Sequence, residues 1–444
     1  MRPKRAKKLS KSIVFALFLS LHFSPARADV ADCKLANQPS PNHQNVGWPR
    51  DPDLMPAIGL VKILILAVDF DDAPVSSLVI NDLPRRMQLG TIESFYKSVS
   101  GDQFKPIFNI YPTVARLPKN SDRYGDFEAA DPLVNGEYAS HLITHDALDQ
   151  IKSKLDLSQY SAVITVVTGG HSLSGRLAVA LSTDHDGFDK VPGDIHNEIV
   201  IGNDALDVED VVPWRLIAHE INHLLGLPDL YLYSLDGLWQ GKSPGPFGQQ
   251  GFLRGDSASD SLAYNRWLRG WIPEERVLCV NNAISLKSIS LAPQGSKDGK
   301  YELVLMKVSD TKLIAFESPK NKGFMSQTFP NSILIYSVDT TIPIGQGPIR
   351  IIPKVNSITS SRLTPSLPDW ERYETAALLR GDWVKNNGQV FVNRPLKTTL
   401  NYVNLAILAG ADDKLKTITC IKGKLVQKIK GYLPVCPTGY KLKI

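Results

Sequence analysis

The sequence predicts an α/β domain followed by a β-rich, sandwich-like domain, on three observations. Two runs of branched apolar residues, "GLVKILILAVDFDD" at 59–72 and "YSAVITVVTGG" at 160–170, have the composition of strands buried on both faces. Stretches with helical spacing lie between them. After Trp271 the texture changes to short β-like runs divided by Gly, Pro, Asn and Asp. The 444 residues, 43% of them hydrophobic, suffice for one large domain with an accessory one, or two of middle size.

The first 28 residues stand apart. A basic run (Arg2, Lys4, Arg5, Lys7, Lys8, Lys11) precedes the apolar "SIVFALFLSLHF" at 12–23, and Ala26-Arg27-Ala28 follows. A charged start, an apolar stretch too short for a bilayer and a small-x-small site predict a signal peptide cut after Ala28. The plainer alternative is an uncleaved N-terminal anchor. No later segment has the length of a membrane span, so the expectation is a secreted chain with no transmembrane segment. Residues 1–28 hold seven Lys/Arg and no acid; setting them aside from the chain's 50 basic residues leaves 43 against 45 acidic. The formal +5 therefore belongs to the leader, and nucleic acid is not an expected partner.

Residues 29–57 are polar and proline-rich and read as an extended N-terminal segment. A first domain is expected over 58–280. After the 59–72 strand, "LGTIESFYKSVSGDQF" at 89–104 has helical spacing at Ile92, Phe95, Tyr96 and Val99, and "FKPIFNIYPTVARLP" at 104–118 alternates like a strand. A helix is expected around 138–154, before the 160–170 strand. A β-rich domain is expected over 281–410, from runs such as "YELVLMKVSD", "KLIAFESP", "SILIYSVD" and "IRIIP".

Residues 411–444 form a basic, disulfide-closed C-terminal tail. From 414 to 444 there are eight lysines and no carboxylate, which could meet an anionic cell surface or simply be a solvated end. The four cysteines, Cys33, Cys279, Cys420 and Cys436, suggest two disulfides in an exported chain, with three possible connectivities. Cys420 and Cys436 enclose a hairpin-like segment, which favours that bridge and leaves Cys33–Cys279 as the other. A free Cys33 acting as a latency ligand is the competing reading.

The chemistry concentrates in "AHEINHLLGLPDLY" at 218–231. On a helix, residues four apart sit one above the other, so His219 and His223 point the same way and can share one metal ion. Glu220, beside the first histidine, reaches the space next to the metal and can pass a proton from water to a leaving amine. Pro213 suits the first turn, Asp207 or Asp210 could cap it, and Gly226 is a natural stop. The chain can then turn back and carry Asp229 in as a third ligand, with a fourth position open for water. Such an open position separates a catalytic zinc site from a structural one. H-E-x-x-H alone arises by chance in about one chain per hundred of this length. Gly226 and Asp229 at fixed offsets make chance, or a core helix with satisfied histidines, a much poorer account.

The pattern H-E-x-x-H-x-x-G-x-x-D followed by tyrosine resembles the immune-inhibitor-A-like family of secreted metallopeptidases, relatives of the metzincins. "KILILAVDFDD", "ESFYKSVSGDQF", "LDLSQYSAVITVVTGG", "GLPDLY" and "LIAFESPK … SILIYSVD" are similar to that family's segments, over roughly residues 58–345. The resemblance implies a metzincin-like zinc peptidase domain. It implies a zinc endopeptidase acting on proteins or peptides, with His219, His223 and Asp229 as metal ligands and Glu220 as general base. Two departures stand out. The family's methionine-containing turn beneath the metal is missing, since no methionine lies between Met87 and Met306; "GPFGQQGFLRG" at 245–255 takes its place, with Phe247 or Phe252 as an apolar floor. "DLYLYS" also stands where an aspartate normally follows the tyrosine.

Weaker signals remain. "DHDGFD" puts Asp184, Asp186 and Asp189 around Gly187, loosely like a calcium (Ca2+) loop, although an acidic surface turn accounts for it as well. His171, His185 and His196 lack ligand spacing. Tyr231, Tyr233 and Tyr264 are candidates for stabilising an oxyanion, with packing as the alternative. Ser172 and Ser174 lack the G-x-S-x-G context of a serine hydrolase. The rival reading of the chain is an exported binding or surface protein on a peptidase scaffold, whose zinc site is structural or vestigial. An intact Glu220 argues against it.

Overall fold

The computed structural model describes residues 29–39, 43–125, 133–134, 137–169, 178–182, 195–207, 212–231, 247–251, 261–281, 286–296, 300–319, 324, 332–352, 383–386, 389–394, 403–408, 414–432, 434, 436–437 and 439–443. The leader and the acidic segment 184–189 lie outside them.

The N-terminal half is built from β1 (Gly59–Asp69), α1 (Val79–Arg86), α2 (Leu89–Ser100), β2 (Phe104–Ile110), β3 (Ala115–Arg116), β4 (Leu133–Val134), β5 (Glu137–Tyr138), α3 (Ala139–Ile151), β6 (Ala162–Val167), β7 (Ala178–Ser182), β8 (Asn197–Gly202), α4 (Pro213–Leu224) and α5 (Ala263–Leu268). The main sheet has the order β2-β1-β6-β8-β7, with β3 also beside β1. Its pairings are parallel except at the β7 edge, which runs antiparallel to β8. β4 and β5 form a separate two-stranded hairpin.

Side chains alternate between the faces of a strand, and β1 uses both. Val61, Ile63, Ile65 and Ala67 enter the core shared with Ile92, Phe95 and Tyr96 of α2 and Ile217, Ala218 and Ile221 of α4. Leu64, Leu66 and Val68 enter the opposite core with Ala139, Ile143 and Ala147 of α3. Helices cover both faces, which is why β1 and β6 read as unbroken apolar runs. Helix α1 was not legible in the sequence because Pro84 lies inside it; the buried Ile80 and Leu83 hold it in place.

The second half contains β9 (Val277–Asn281), β10 (Leu286–Leu291), β11 (Leu303–Lys307), β12 (Lys312–Glu317), β13 (Leu334–Asp339), β14 (Ile349–Ile351), β15 (Trp383–Asn386), β16 (Gln389–Arg394) and β17 (Val403–Leu408). They form a five-stranded sheet, β14-β13-β12-β11-β9, and a four-stranded sheet, β10-β17-β16-β15. Val304, Met306, Ile314 and Phe316 of the first pack with Ile289, Phe391, Leu405 and Ile407 of the second. Three more strands, β18 (Lys416–Lys422), β19 (Leu425–Gly431) and β20 (Lys441–Leu442), make a terminal sheet in the order β19-β18-β20. Disulfides join Cys33 to Cys279 and Cys420 to Cys436, so Cys33 is not a free thiol.

Two expectations change. The segment 29–57 is no mere extended lead-in. It contains a helical turn at Val30–Cys33, and Cys33, Leu35 and Val46 are buried against the five-stranded sheet. A boundary at 280 also falls inside β9, whose parallel partner is β11. The face of the five-stranded sheet turned away from the four-stranded one is covered by that N-terminal segment, by Leu230 and Phe247, and by Leu262, Tyr264 and Trp267 at α5. Among the described residues, no helix is long and apolar enough to cross a membrane.

Candidate metal centre

Helix α4 begins at Pro213, whose missing N–H costs nothing in the first turn. Val212 precedes it, and among the described residues no side chain caps the start. The expected cap from Asp207 is not made: Asp207 ends the preceding turn and pairs with Arg86 at 2.5 Å. Asp210 lies outside the described residues. At the far end Gly226 adopts φ +90°, and its N–H donates to the His223 carbonyl at 2.8 Å. A Cβ there would meet Leu54 Cδ1 at 2.6 Å. Gly226 therefore stops the helix as expected, and Leu227 N–H closes the turn by donating to the Asn222 carbonyl at 3.0 Å.

That reversal brings Asp229 back over the helix. His219 Nε2 and His223 Nε2 lie 3.0 Å apart, and Asp229 Oδ1 is 3.2 Å from the first and 3.4 Å from the second. Each imidazole is fixed from behind. His219 Nδ1 lies 3.3 Å from the Gln249 carbonyl and His223 Nδ1 lies 2.6 Å from the Leu227 carbonyl. A carbonyl only accepts, so both Nδ1 atoms carry the proton and both Nε2 lone pairs of the neutral rings face the same point. Two lone pairs and a carboxylate oxygen converging there repel one another unless a proton or a metal cation lies between them. A tetrahedral ion with bonds of about 2.0–2.1 Å holds its ligands about 3.3 Å apart. The donor set and its spacing fit zinc. Among the described residues this is the one such cluster of three metal-ligand side chains.

Without a cation, burial lowers His223, but Asp229, Glu220 and the Leu227 carbonyl together outweigh it and lift the imidazole to about 9. Burial works to raise Asp229, and the two histidines overcome it, holding the carboxyl well below its ordinary range. Glu220 is 5% exposed; burial pushes its carboxyl up, against the pull of His219 and His223.

Beneath the histidines lies a turn at 247–251, closed by Gly251 N–H donating to the Gly248 carbonyl at 2.8 Å. Its floor is polar. The Gln250 amide donates to the His219 carbonyl at 3.2 Å and accepts from Asn222 Nδ2 at 3.1 Å, while the Gln249 amide donates to the Arg215 carbonyl at 3.2 Å. Asn222 Oδ1 in turn accepts from Arg269 Nη1 at 2.8 Å and from the Tyr96 hydroxyl at 3.3 Å. Arg269 lies over the Trp271 ring, 4.1 Å from its centre; burial pushes its guanidinium down to about 9, so it is still charged at neutral pH. Phe247 is buried in the core with Tyr264 and Trp267, so it backs the turn while the two glutamines bond to the helix. Phe252 lies outside the described residues.

The sequence reading missed Gln249, Gln250, Asn222, Arg269 and Tyr96. Asn222 carried the one usable signal, an amide inside the apolar-spaced helix that carries the two histidines. Of the tyrosine candidates, Tyr231 stacks beside His219 with ring centres 6.5 Å apart. Tyr264 is buried in the second core and donates its hydroxyl to the Val46 carbonyl at 2.7 Å, so it is a packing residue and no oxyanion donor. Tyr233, His171, His185, Ser172, Ser174 and the calcium-like segment lie outside the described residues. His196 is half-buried and outside the cluster. No protein-family model matches the chain, and no curated protein sequence matches it.

Proposed function

We propose that this protein is a secreted zinc endopeptidase, of the immune-inhibitor-A-like type that its motif resembles. The convergence of His219 Nε2, His223 Nε2 and Asp229 Oδ1 within 3.0–3.4 Å supports this reading most directly. Two disulfides are consistent with export. When bound at these three atoms, zinc supplies an acidified water and a Lewis-acid contact for a carbonyl oxygen.

The chain's own groups supply the rest. Glu220, buried next to the two histidines, accepts a proton on its carboxylate as water attacks and returns it to the leaving amine nitrogen. The Gln249 and Leu227 carbonyls keep the two rings in one tautomer and orientation. β7 packs beside α4 at the sheet edge, and its outer side pairs with no strand among the described residues. An extended peptide added at that edge as a further strand would bring its carbonyl toward the centre.

The test measures zinc by elemental analysis together with casein cleavage, with and without chelator. One zinc per chain and chelator-sensitive cleavage are expected. Glu220→Gln should keep the zinc while cleavage falls by about 10²–10⁴-fold. Zinc without cleavage in the wild-type chain would favour the rival reading, a binding or surface protein on a peptidase scaffold; no zinc would end the metal assignment.

A further inference from the structure

The terminal sheet has two unlike faces. Cys420 is fully buried on one, where the Cys436 bridge and the returning chain lie; Pro434 approaches Gly431, and Lys422 sits over the Tyr440 ring. The register fixes what points the other way. Thr417 pairs with Lys430, Thr419 with Lys428, and Ile421 with both Val426 and Lys441; Lys443 N–H donates to the Thr419 carbonyl. Alternation therefore places Lys428, Lys430, Lys441 and Lys443 on the open face together with Thr417, Thr419, Ile421 and Val426.

All four lysines are exposed, and none is in an ion pair among the described residues. Two columns of like charge thus stand about 10 Å apart across the central strand, with neighbours in a column about 7 Å apart. No carboxylate from 414 onward relieves them. A merely solvated face would not add apolar exposure, yet Val426 at the hairpin end of that face, opposite Ile421, is 63% exposed; Leu425 and Leu442, 60% and 53% exposed, stand on the Cys420 face. Lys422 and Lys424 flank that hairpin tip.

Lysines alone would suit any polyanion. Aliphatic side chains standing beside them gain nothing from a hydrated glycan or nucleic acid; they gain by entering the acyl boundary of a bilayer whose headgroups hold the lysines. We infer that this sheet docks the protein on anionic lipid membranes, through its four-lysine face and Val426 at the hairpin end of that face. The inference does not depend on the zinc chemistry.

The full chain is sedimented with vesicles of phosphatidylcholine containing 30 mol% phosphatidylserine (roughly the anionic content that gives a substantial surface potential), and with vesicles of phosphatidylcholine alone. Binding is expected to the first, weakening with salt. Lys428→Gln with Lys430→Gln should weaken it by roughly 25-fold, at about fivefold per lysine, whereas arginine at both positions should retain it. Val426→Ser should weaken it by about threefold at unchanged charge, and Leu425→Ser, on the opposite face, should leave it unchanged. Each variant is compared with wild type for free thiol, so that an intact Cys420–Cys436 bridge reports the fold. Absence of vesicle binding overturns the proposal. So does binding indifferent to the lysine pair, or binding that is lysine-dependent, indifferent to Val426→Ser and matched by soluble heparin.

Discussion

Asn222 sits between the two histidines in sequence yet faces away from the point where their lone pairs meet. Its amide joins Gln250 to Arg269, and Gln250 continues the network to the backbone of His219. A polar floor is a stiffer device than an apolar one, because each member loses a partner if the helix shifts. Gln250→Leu is expected to lower stability by about 1–3 kcal/mol through the orphaned Asn222 donor and the lost bond to the His219 carbonyl. Zinc affinity should fall about tenfold as the His219 ring loosens. Urea unfolding and competition with a zinc indicator measure both, and a variant unchanged in each would show that the network does not position the ligands. The metal ligands were legible in the sequence because they are local, within eleven residues of one another. Their support was not, because Tyr96, Gln250 and Arg269 come from distant parts of the chain.

The helix–turn element spans Pro213 to Asp229 and works through its ends. Pro213 opens it, and Gly226 reverses it at φ +90°. Any side chain at 226 would take up a left-handed conformation and also press on Leu54. Gly226→Ala should therefore destabilise by about 1–3 kcal/mol and carry Asp229 away from the histidines. The expected signature is zinc loss greater than that of a surface Gly→Ala such as Gly90→Ala, where a Cβ meets nothing within 4 Å. Equal zinc retention in the two variants would remove the turn from the argument. Elements with an unbroken period, β1, α2, α3 and β6, were readable. Helix α1, with Pro84 inside it, was not.

At the scale of the molecule, the N-terminal segment and the five-stranded sheet share one core. Cys33 on the helical turn reaches Cys279 on β9 across 246 residues of chain. Leu35, Val46 and Leu230 lie in the same cluster as Leu303 and Tyr336. The bridge closes a loop long enough to restrict the unfolded chain strongly, and replacing Cys33 and Cys279 by Ser should cost about 2–5 kcal/mol. The smaller 16-residue loop of Cys420–Cys436 should matter to the terminal sheet more than to the main transition. Calorimetry of the two serine pairs separates these outcomes; a larger loss of Tm from the short loop would contradict the shared-core account.

What the sequence determined alone is what depends on nearest neighbours along the chain: buried strands, amphipathic helices, and two histidines, a glutamate, a glycine and an aspartate at spacings that a helix and one tight turn convert into a cluster. Only the tertiary structure decided that the leading segment belongs to the second core, that two glutamines and not a methionine lie under the helix, and that four lysines share one face of the terminal sheet. Those contacts join residues far apart in sequence or depend on strand register. Periodicity within a segment carries information about its own face, and none about the partner that will cover it.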